Sequence, residues 1–279
     1  MEKSLDKLMN TGFKFSKGLG QNFITDVNLL CSIVNDSGVT KDDIVVEVGA
    51  GAGTLTEQIA QKAKKVVSIE IDNSLKEYLS DKFNGSNVQL IFGDILKTKK
   101  EVIVQATEGK SFKVIANIPY YITSPVIFYF LDGDFNISSL TLMVQKEVAD
   151  RVVCKKGKDY GAISANIQCR AEAQILRTVS RKLFTPPPNV DSAVLKITPK
   201  YRNDVANYTQ LFALIKAAFS MRRKTLLNCL GGAGINKTVA QDVLIEAGFE
   251  PTIRGETLSV EDFIKLSNFM QDKFVLFAQ

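Results

Sequence analysis

The sequence predicts an α/β protein in which a Rossmann-like, doubly wound sheet is followed by a small all-helical C-terminal domain. Three observations predict this fold. From about Asp43, short β-branched runs alternate with stretches whose apolar residues recur at helical spacing. A glycine-rich turn follows the first run, and the pattern becomes purely helical beyond Pro199. Alternating strands and helices are typical of a parallel sheet covered on both faces. We therefore expect one domain at residues 1–199 and another at residues 200–279.

The predicted strands are short apolar runs, as expected where both faces of a strand are buried. They span residues 44–48, 66–71, 88–92, 112–116 and 140–144. Helices are predicted between them at residues 54–63, 73–83 and 124–131, with Asn73 as the N-cap of the second and Pro125 in the first turn of the third. Two further strands, at residues 174–179 and 192–198, are expected to pair antiparallel at the sheet edge.

The rest of the chain shows helical patterns. Residues 146–158 predict a helix that runs into a basic loop, and residues 161–172 predict another helical stretch. In the C-terminal domain, helices are predicted at residues 208–219, 222–230, 237–247 and 260–269. Ser259 is expected to cap the last of these helices, with Asp262 at its third position.

Composition narrows the classes of function. The 279 residues include no histidine, which excludes a Ser-His or Cys-His nucleophile pair and removes the usual general base at neutral pH. The four cysteines lie far apart, so we expect neither a metal site nor a disulfide framework. The net charge of +5 suits a polyanionic partner without requiring one. Because the chain has neither a long apolar run nor the apolar core of a signal peptide, we expect a soluble cytoplasmic protein without membrane contact.

A glycine-rich turn with the spacing G-x-G-x-G links the first predicted strand to the first predicted helix, and Gly49 and Gly51 lie in it. Glycines in this context let the backbone turn tightly and approach a ligand closely. Glu70 ends the second strand, where a carboxylate accepts hydrogen bonds from a ribose diol. Asp94 follows the third strand, where its carboxylate can accept from an adenine amine. Together these residues predict an adenosine-bearing cofactor that needs no diphosphate.

Other interpretations of this half of the site stay open. The glycines are also compatible with a plain turn, and Asp94 is compatible with a helix cap. NAD is the rival cofactor, although the acidic Glu47 just before the turn departs from a pyrophosphate cradle.

The loop after the fourth predicted strand reads Asn117-Ile118-Pro119-Tyr120, at the edge where doubly wound sheets bind ligands. An aromatic amine that accepts a methyl group needs hydrogen-bond acceptors at its N–H groups rather than a strong base, and the Asn117 side-chain oxygen and the Ile118 carbonyl supply both. Pro119 restricts Ile118 to an extended conformation, and the Tyr120 ring offers a stacking surface for a purine. Carbonyls and aromatic rings also favour a positively charged sulfonium donor. A proline-terminated strand with core tyrosines is the alternative, above all for Tyr121.

Basic residues cluster in three segments that are candidate contacts for the phosphates of a polyanion. They are Lys14 and Lys17, then Lys155 and Lys156, then Arg222, Arg223 and Lys224. The last cluster is expected at a helix start, where positive charge opposes the macrodipole and does not serve helix stability. An ordinary solvated face is the alternative for this cluster.

Five stretches of the sequence carry a resemblance to a known family. They are Leu19-Gly-Gln-Asn-Phe23, Glu47 to Thr54, Asn117-Ile-Pro-Tyr-Tyr-Ile-Thr-Ser-Pro125, Phe184-Thr-Pro-Pro-Pro-Asn-Val-Asp-Ser192 and Ala218-Phe-Ser-Met-Arg-Arg-Lys224. Over essentially its whole length the chain resembles the ribosomal RNA adenine N6,N6-dimethyltransferases, which use a class I methyltransferase sheet and S-adenosyl-L-methionine. It is most similar to their bacterial small-subunit branch, the kasugamycin-sensitivity dimethyltransferases.

The resemblance implies dimethylation of two adjacent adenosines in the 3′-terminal hairpin of 16S rRNA, within the immature small ribosomal subunit. It implies that S-adenosylmethionine is contacted by Asn22, Ile24, Gly49, Glu70, Asp94 and Asn117. It also implies that Tyr120 and Phe184 sandwich the target adenine. We further expect the protein to be a monomer.

Three alternatives to this function stay open. A 23S rRNA adenine methylase of the antibiotic-resistance type shares the cofactor motif and the Asn-Ile-Pro-Tyr motif. A ribosome assembly factor would act mainly by occupying the nascent small subunit. An NAD-linked oxidoreductase is disfavoured by the G-x-G-x-G spacing and by the lack of a histidine for a hydride-transfer site.

Overall fold

The computed structural model describes residues 4–10, 12, 20, 22–221 and 223–271. The chain forms two compact units. We call them the sheet unit, which comprises Met1–Ala149 and Gln174–Pro199, and the helical unit, which comprises Asp150–Ala173 and Lys200–Gln279. The predicted domains share the boundary near Lys200 with these units. The predicted domains and the observed units differ in where they place residues 150–173. The sequence analysis placed this segment in the first domain, whereas it belongs to the helical unit.

The strands of the described residues include every strand that the sequence predicts, and β6 and β7 are longer than their predicted ranges. They are β1 (Phe23–Ile24), β2 (Ile44–Val48), β3 (Lys65–Glu70), β4 (Val88–Phe92), β5 (Phe112–Asn117), β6 (Ile137–Gln145), β7 (Ala171–Val179), β8 (Phe184–Thr185) and β9 (Ser192–Pro199). β1 and β8 pair antiparallel in a sheet of their own. The other strands form one sheet in the order β4-β3-β2-β5-β6-β9-β7.

The strand order explains where a ligand site forms. β4, β3, β2, β5 and β6 run parallel, and β9 runs antiparallel to β6. From β2 the chain adds β3 and β4 on one side and then returns to add β5 on the other side, so a topological switch point lies between β2 and β5. Ligands of open α/β sheets bind at this point, beyond the carboxyl ends of the strands. β7 and β9 are neighbours at one edge of the sheet, as predicted.

Three α-helices of the described residues, at Ser4–Asn10, Val27–Ser37 and Lys100–Ala106, were not predicted from the sequence. The α-helices are α1 (Ser4–Asn10), α2 (Val27–Ser37), α3 (Thr54–Ala60), α4 (Lys76–Lys82), α5 (Lys100–Ala106), α6 (Thr123–Asp132), α7 (Lys146–Val153), α8 (Ala162–Gln168), α9 (Tyr208–Ala218), α10 (Leu226–Gly232), α11 (Lys237–Glu246) and α12 (Val260–Gln271). Short 3-10 helices span Asn73–Leu75, Ile95–Lys97, Tyr120–Ile122, Arg181–Leu183 and Gly255–Thr257. None of the helices in the described ranges combines the length and the apolar character that a membrane span requires.

Capping side chains fix where several helices begin. The predicted cap of α12 is confirmed, because Asp262 N–H donates to Ser259 Oγ at 3.1 Å and Ser259 N–H donates to Asp262 Oδ2 at 2.9 Å. The predicted cap at Asn73 is wrong. Asp72 occupies that position, and its side chain accepts from Ser74 N–H at 3.0 Å. Asp72 lies one residue before the first turn, in an extended conformation, and this is the position from which a side chain caps a helix.

The predicted helix at residues 222–230 begins later than expected. Thr225 caps α10, its hydroxyl accepting from Asn228 N–H at 3.3 Å, and the helix starts at Leu226. Arg223 and Lys224 therefore lie in a turn before the helix rather than in its first turn.

The helical unit has its own apolar core, which explains why the segment 150–173 belongs to it. Tyr160, Ala165 and Cys169 from that segment lie in the same buried cluster as Leu211 of α9 and Phe263 of α12. Sequence periodicity reports which face of a helix is apolar, but it does not report which partner covers that face. The grouping of α8 with the C-terminal helices therefore appears only in the folded chain.

Candidate active site

A cavity of about 310 Å³ opens in the sheet unit at the carboxyl ends of the parallel strands. This volume lies in the range of small-molecule sites. The predicted cofactor-binding and catalytic residues all line it: Asn22, Ile24, Gly49, Gly51, Glu70, Asp94, Asn117, Ile118, Pro119, Tyr120 and Phe184. The fold thus brings the two motifs and Phe184 together in one cavity.

The glycine-rich turn forms one wall of this cavity. Gly49 has φ +82° and Gly51 has φ +53°, both in the left-handed region that favours glycine. A methyl group at Gly49 would lie 3.5 Å from Ile118 Cγ2 and 3.6 Å from Asn117 O, in the space between the turn and the acceptor loop. At Gly51 it would lie 2.6 Å from the Phe23 ring. Glycine at position 49 therefore suits the left-handed backbone and leaves the gap between the turn and the acceptor loop unfilled.

Glu70 connects the end of β3 to the turn. Its Oε2 accepts from Gly51 N–H and its Oε1 accepts from Asp72 N–H, both at 2.8 Å. The side chain is almost completely buried, and this burial raises the pKa of its carboxyl against the opposing effect of the two backbone hydrogen bonds. Each carboxylate oxygen has two acceptor positions, so Glu70 keeps acceptor capacity for two ribose hydroxyls.

Asp94 lines the cavity and also caps a helix. Its Oδ1 accepts from Leu96 N–H at 3.0 Å, at the start of the 3-10 helix Ile95–Lys97, while its Oδ2 lies 3.6 Å from Lys97 Nζ. The helix-cap alternative is therefore realised. It does not exclude a ligand contact, because a carboxylate has further acceptor positions.

Glu47 lies on β2 immediately before the turn and is fully buried. Its Oε2 accepts from Thr56 Oγ1 at 2.6 Å and from Ser68 Oγ at 2.7 Å. Within the described residues its Oε1 has no hydrogen-bond partner. Burial raises the pKa of the Glu47 carboxyl to about 7, in spite of the two hydroxyl donors. Sequence reasoning noted this residue as an acidic neighbour of the turn and did not predict its burial.

The acceptor loop begins with Asn117 at the end of β5. Its Nδ2 donates to Asn22 O at 3.2 Å, and Asn22 Nδ2 in turn donates to Gly20 O at 3.0 Å. The bond from Asn117 uses the amide nitrogen, so the Oδ1 oxygen of that amide remains an acceptor for a ligand N–H group. Asn22 therefore links the segment before β1 to the residue predicted to bind the amine.

Tyr120 and Phe184 supply the aromatic part of the cavity. Phe184 is 3% exposed and pairs with Ile24 in the β1–β8 ladder. The Tyr120 hydroxyl lies 2.7 Å from Ser192 Oγ, at the start of β9, and partial burial raises the Tyr120 pKa. Sequence reasoning assigned no role to Ser192, although it ends the same motif that contains Phe184. Its contact with Tyr120 joins residues 72 positions apart.

Tyr121 differs from its neighbour. Its side chain is 66% exposed, and it lines the same cavity. The alternative that Tyr121 packs in the core is therefore wrong. The 3-10 helix Tyr120–Ile122 rotates successive side chains by about 120°, so the two tyrosines project in different directions.

The predicted RNA-contact residues that the structure describes lie in the helical unit. Lys155 and Lys156 are exposed in the loop after α7, and Arg223 and Lys224 are exposed before α10. Lys14, Lys17 and Arg222 lie outside the described residues. Across the part of the chain that is described, no three metal-ligating side chains converge, and all four cysteines are free.

The parallel sheet, its switch point and the turn-and-loop cavity together define a Rossmann-like class I methyltransferase. The sequence matches the ribosomal RNA adenine dimethylase family over residues 12–272, and the chain belongs to that family. The predicted fold class and the predicted enzyme class, a methyltransferase that dimethylates adenine in ribosomal RNA, are thus confirmed.

Relatives with high coverage agree with this family. The chain is 44% identical over 267 residues to ribosomal RNA small subunit methyltransferase A of Clostridioides difficile (strain 630), covering 94% of this chain and 92% of that protein. It is 41% identical over 276 residues to the protein of the same name from Bacillus mycoides (strain KBAB4), covering 95% and 94%.

Two solved structures are similar over most of the chain. A dimethyladenosine transferase from Plasmodium falciparum has a TM-score of 0.78 at 28% identity, covering 91% of this chain and 100% of that one. The 23S rRNA methyltransferase ErmE has a TM-score of 0.69 at 22% identity, covering 89% and 99%, and this likeness concerns the fold alone.

Proposed function

We propose that the protein uses S-adenosyl-L-methionine to dimethylate N6 of two adjacent adenosines in the 3′-terminal hairpin of 16S rRNA, in the immature small ribosomal subunit. The observation that carries this proposal is the single cavity lined by the glycine-rich turn, Glu70, the Asn117–Tyr120 loop and Phe184. One side of the cavity suits an adenosine-bearing donor and the other suits a flat aromatic amine. A cytoplasmic, monomeric enzyme remains our expectation.

The turn side of the cavity fits S-adenosylmethionine. Gly49 leaves the space that a side chain would fill, and Glu70 is held by two backbone N–H groups with acceptor capacity for the ribose diol. Asp94, Asn22 and Ile24 complete the proposed cofactor contacts. When bound, the cofactor supplies a methyl group that its sulfonium makes electrophilic. The absence of a phosphate-binding cation among these contacts is consistent with a cofactor that carries no diphosphate.

Asn117 and Ile118 position the acceptor amine. The Asn117 side-chain oxygen and the Ile118 carbonyl accept from the two N6–H groups, which orients the nitrogen lone pair toward the donor. Pro119, with φ −53° and ψ 137°, fixes the direction of the chain that carries the Ile118 carbonyl. These oxygens also stabilise the positive charge that develops on the amine during transfer. The proton leaves to solvent afterwards, so the reaction needs no histidine.

Tyr120 and Phe184 hold the adenine ring. Both rings line the cavity, and the Tyr120 hydroxyl is fixed by Ser192 at 2.7 Å. Stacking on aromatic side chains contributes about 1–3 kcal/mol per base. An adenosine must leave its stack to reach this cavity, and the cost is smallest in loops and ends. A hairpin loop is therefore a suitable substrate.

The small subunit is favoured over the large subunit as the source of the substrate. The two relatives described above, at 44% and 41% identity, carry a small-subunit name, whereas the likeness to the 23S enzyme concerns only the fold. We assign RNA contacts to Lys155, Lys156, Arg223 and Lys224 of the helical unit because exposed cations suit phosphates. Lys14, Lys17 and Arg222 keep the same assignment from the sequence.

Primer extension distinguishes the two ribosomal subunits directly, because N6,N6-dimethyladenosine cannot form its base pair and stops the polymerase. A bacterial host without this activity would receive the gene, and both 16S and 23S rRNA would be probed. We expect a new stop at two adjacent adenosines near the 3′ end of 16S rRNA, absent from the host alone. A stop in 23S rRNA instead would support the antibiotic-resistance type of methylase.

A further inference from the structure

Tyr121 presents an aromatic ring to solvent at the opening of the active-site cavity. Its side chain is 66% exposed, yet it lines the cavity together with Pro119 and Tyr120. A single exposed aromatic ring is common on protein surfaces, but this one also lines the cavity to which the proposed function assigns the target base. Because the ring is exposed, packing in the core does not explain why an aromatic residue stands at this position.

A backbone hydrogen bond stabilises the turn that carries Tyr121. Ile122 N–H donates to Pro119 O at 3.1 Å and closes the turn that carries Tyr121. A methyl group at Gly20, where φ is +59°, would lie 3.3 Å from Pro119 Cβ and 3.5 Å from Tyr121 Cε1. The bare backbone of Gly20 therefore lies beside the ring.

Hydrogen bonds connect that backbone to the acceptor residue. Gly20 O accepts from Asn22 Nδ2 at 3.0 Å, and Asn22 O accepts from Asn117 Nδ2 at 3.2 Å. Two hydrogen bonds thus connect Gly20, which lies beside the Tyr121 ring, to Asn117, the residue proposed to position the amine. A base bound on this ring would be held in register with the target base.

We propose that Tyr121 is a stacking platform for the nucleotide next to the target adenosine in the RNA chain. The inference rests on the proposed function, since it needs an RNA substrate whose target base enters the cavity. When one base leaves its stack, its neighbour loses a stacking partner. Single-stranded bases regain that interaction on exposed aromatic rings, whatever their identity, because every base has a π-face.

The two consecutive tyrosines, Tyr120 and Tyr121, have different roles. Tyr120 is half-buried, with its hydroxyl bonded to Ser192, and in the proposed function it stacks on the target base. Tyr121 is exposed and, in this proposal, selects substrates in which a base is present beside the target. Stacking uses the ring and not the hydroxyl, so Tyr121→Phe should retain the function while Tyr121→Leu should lose it.

The test combines a change in the protein with a change in the RNA. Immature small subunits would carry a synthetic 3′-terminal rRNA segment, joined by ligation, in which one of the two adjacent adenosines is intact or replaced by an abasic ribose. Methyl transfer to the remaining adenosine would be measured as kcat/KM for the full-length wild type, Tyr121→Leu and Tyr121→Phe. Tyr201→Leu is the matched control, because Tyr201 is 89% exposed and lies outside the cavity.

We expect the abasic substitution to lower kcat/KM of the wild type by about 5- to 100-fold, the range of one lost stacking contact. Tyr121→Leu should lose a similar factor on intact RNA and show no further loss on abasic RNA, whereas Tyr121→Phe and Tyr201→Leu should respond to the abasic site as the wild type does. Two results would contradict the stacking role of Tyr121 and leave the proposed function intact. One is a further loss of kcat/KM when Tyr121→Leu is given the abasic RNA, and the other is a Tyr121→Phe variant as impaired as Tyr121→Leu. A wild type that transfers no methyl to intact subunits would overturn both.

Discussion

Glu47 carries a fully buried carboxyl group whose charge state changes near neutral pH. Its pKa is raised from 4.5 to about 7 by burial. In the folded chain the carboxyl therefore holds its proton at pH values where the unfolded chain has released it. Stability then falls as the pH rises from about 4.5 through about 7, because the folded state must bury a charge above that range.

Replacing this carboxyl by an amide should remove the part of the pH dependence of stability that Glu47 contributes. Between pH 5 and pH 8 the unfolding free energy of Glu47→Gln should rise relative to that of the wild type by about 3 kcal/mol at most, from 1.36 kcal/mol per pKa unit. Urea denaturation at several pH values measures this difference. Glu172→Gln is the control: Glu172 is exposed, and Lys200 lowers its pKa, so it stays ionised over this range. If the difference in unfolding free energy between Glu47→Gln and wild type did not change with pH, that result would contradict the raised pKa of Glu47.

The sequence predicts single site residues well where local context fixes their position. Glu70 and Asn117 each end a strand of a parallel sheet, so their approach at one edge follows from the strand pattern. Ser192 and Tyr120 meet only because β9 lies beside β6, next to the strand that ends in the acceptor loop. Strand order is a long-range property, and the local pattern does not encode it.

The turn before α10 changes the interpretation of the basic cluster. Because α10 begins at Leu226 with Thr225 as its cap, Arg223 and Lys224 are not in the first turn of the helix. The argument from an opposed macrodipole therefore does not apply to these two residues. Their exposure on the helical unit still suits contacts with phosphates, and the salt dependence of RNA binding can test this.

Arg223→Ala combined with Lys224→Ala should weaken binding to immature small subunits. If both side chains contact phosphates, the slope of log Kd against log salt should decrease by about 1 to 2 units. Filter binding over a range of salt concentrations measures the slope, and affinity for S-adenosylhomocysteine should not change. Lys41→Ala with Lys64→Ala removes the same charge from exposed positions of the sheet unit as a control. An unchanged slope in the Arg223 and Lys224 variant would favour the solvated-face alternative.

Among the elements, the sheet is predicted more accurately than the helices. The strand predictions at residues 44–48 and 88–92 coincide with β2 and β4. β2 is fully buried, as predicted, but β4 lies at the sheet edge and is only partly buried, so the prediction that it is a buried strand is wrong. α2 and α5 were not predicted, and the helix at residues 73–83 divides into the 3-10 helix Asn73–Leu75 and α4. Helix boundaries depend on side-chain caps such as Asp26 and Asp72, and several polar residues near a boundary compete for that position.

At the scale of the whole molecule, the chain comprises two units. The sheet unit holds the cavity, and the helical unit holds the described residues to which we assign RNA contacts. Apolar periodicity predicts that the C-terminal helices form a core, and it also places a boundary near Lys200. It does not show that the segment 150–173 completes that core through Tyr160, Ala165 and Cys169. The loop of Lys155 and Lys156 consequently belongs to the same unit as Arg223 and Lys224.

The central claim is that the cavity transfers methyl groups to adenosine N6, with Asn117 as the residue that positions the amine. Transfer from labelled S-adenosylmethionine to purified immature small subunits, followed by nucleoside analysis, tests it most directly. We predict N6,N6-dimethyladenosine at both adjacent adenosines of 16S rRNA with the wild type, and a rate lower by about 100-fold or more with Asn117→Ala, because a group that acts on developing charge is removed. Product at another base or atom, or an Asn117→Ala variant as fast as the wild type, would contradict the account.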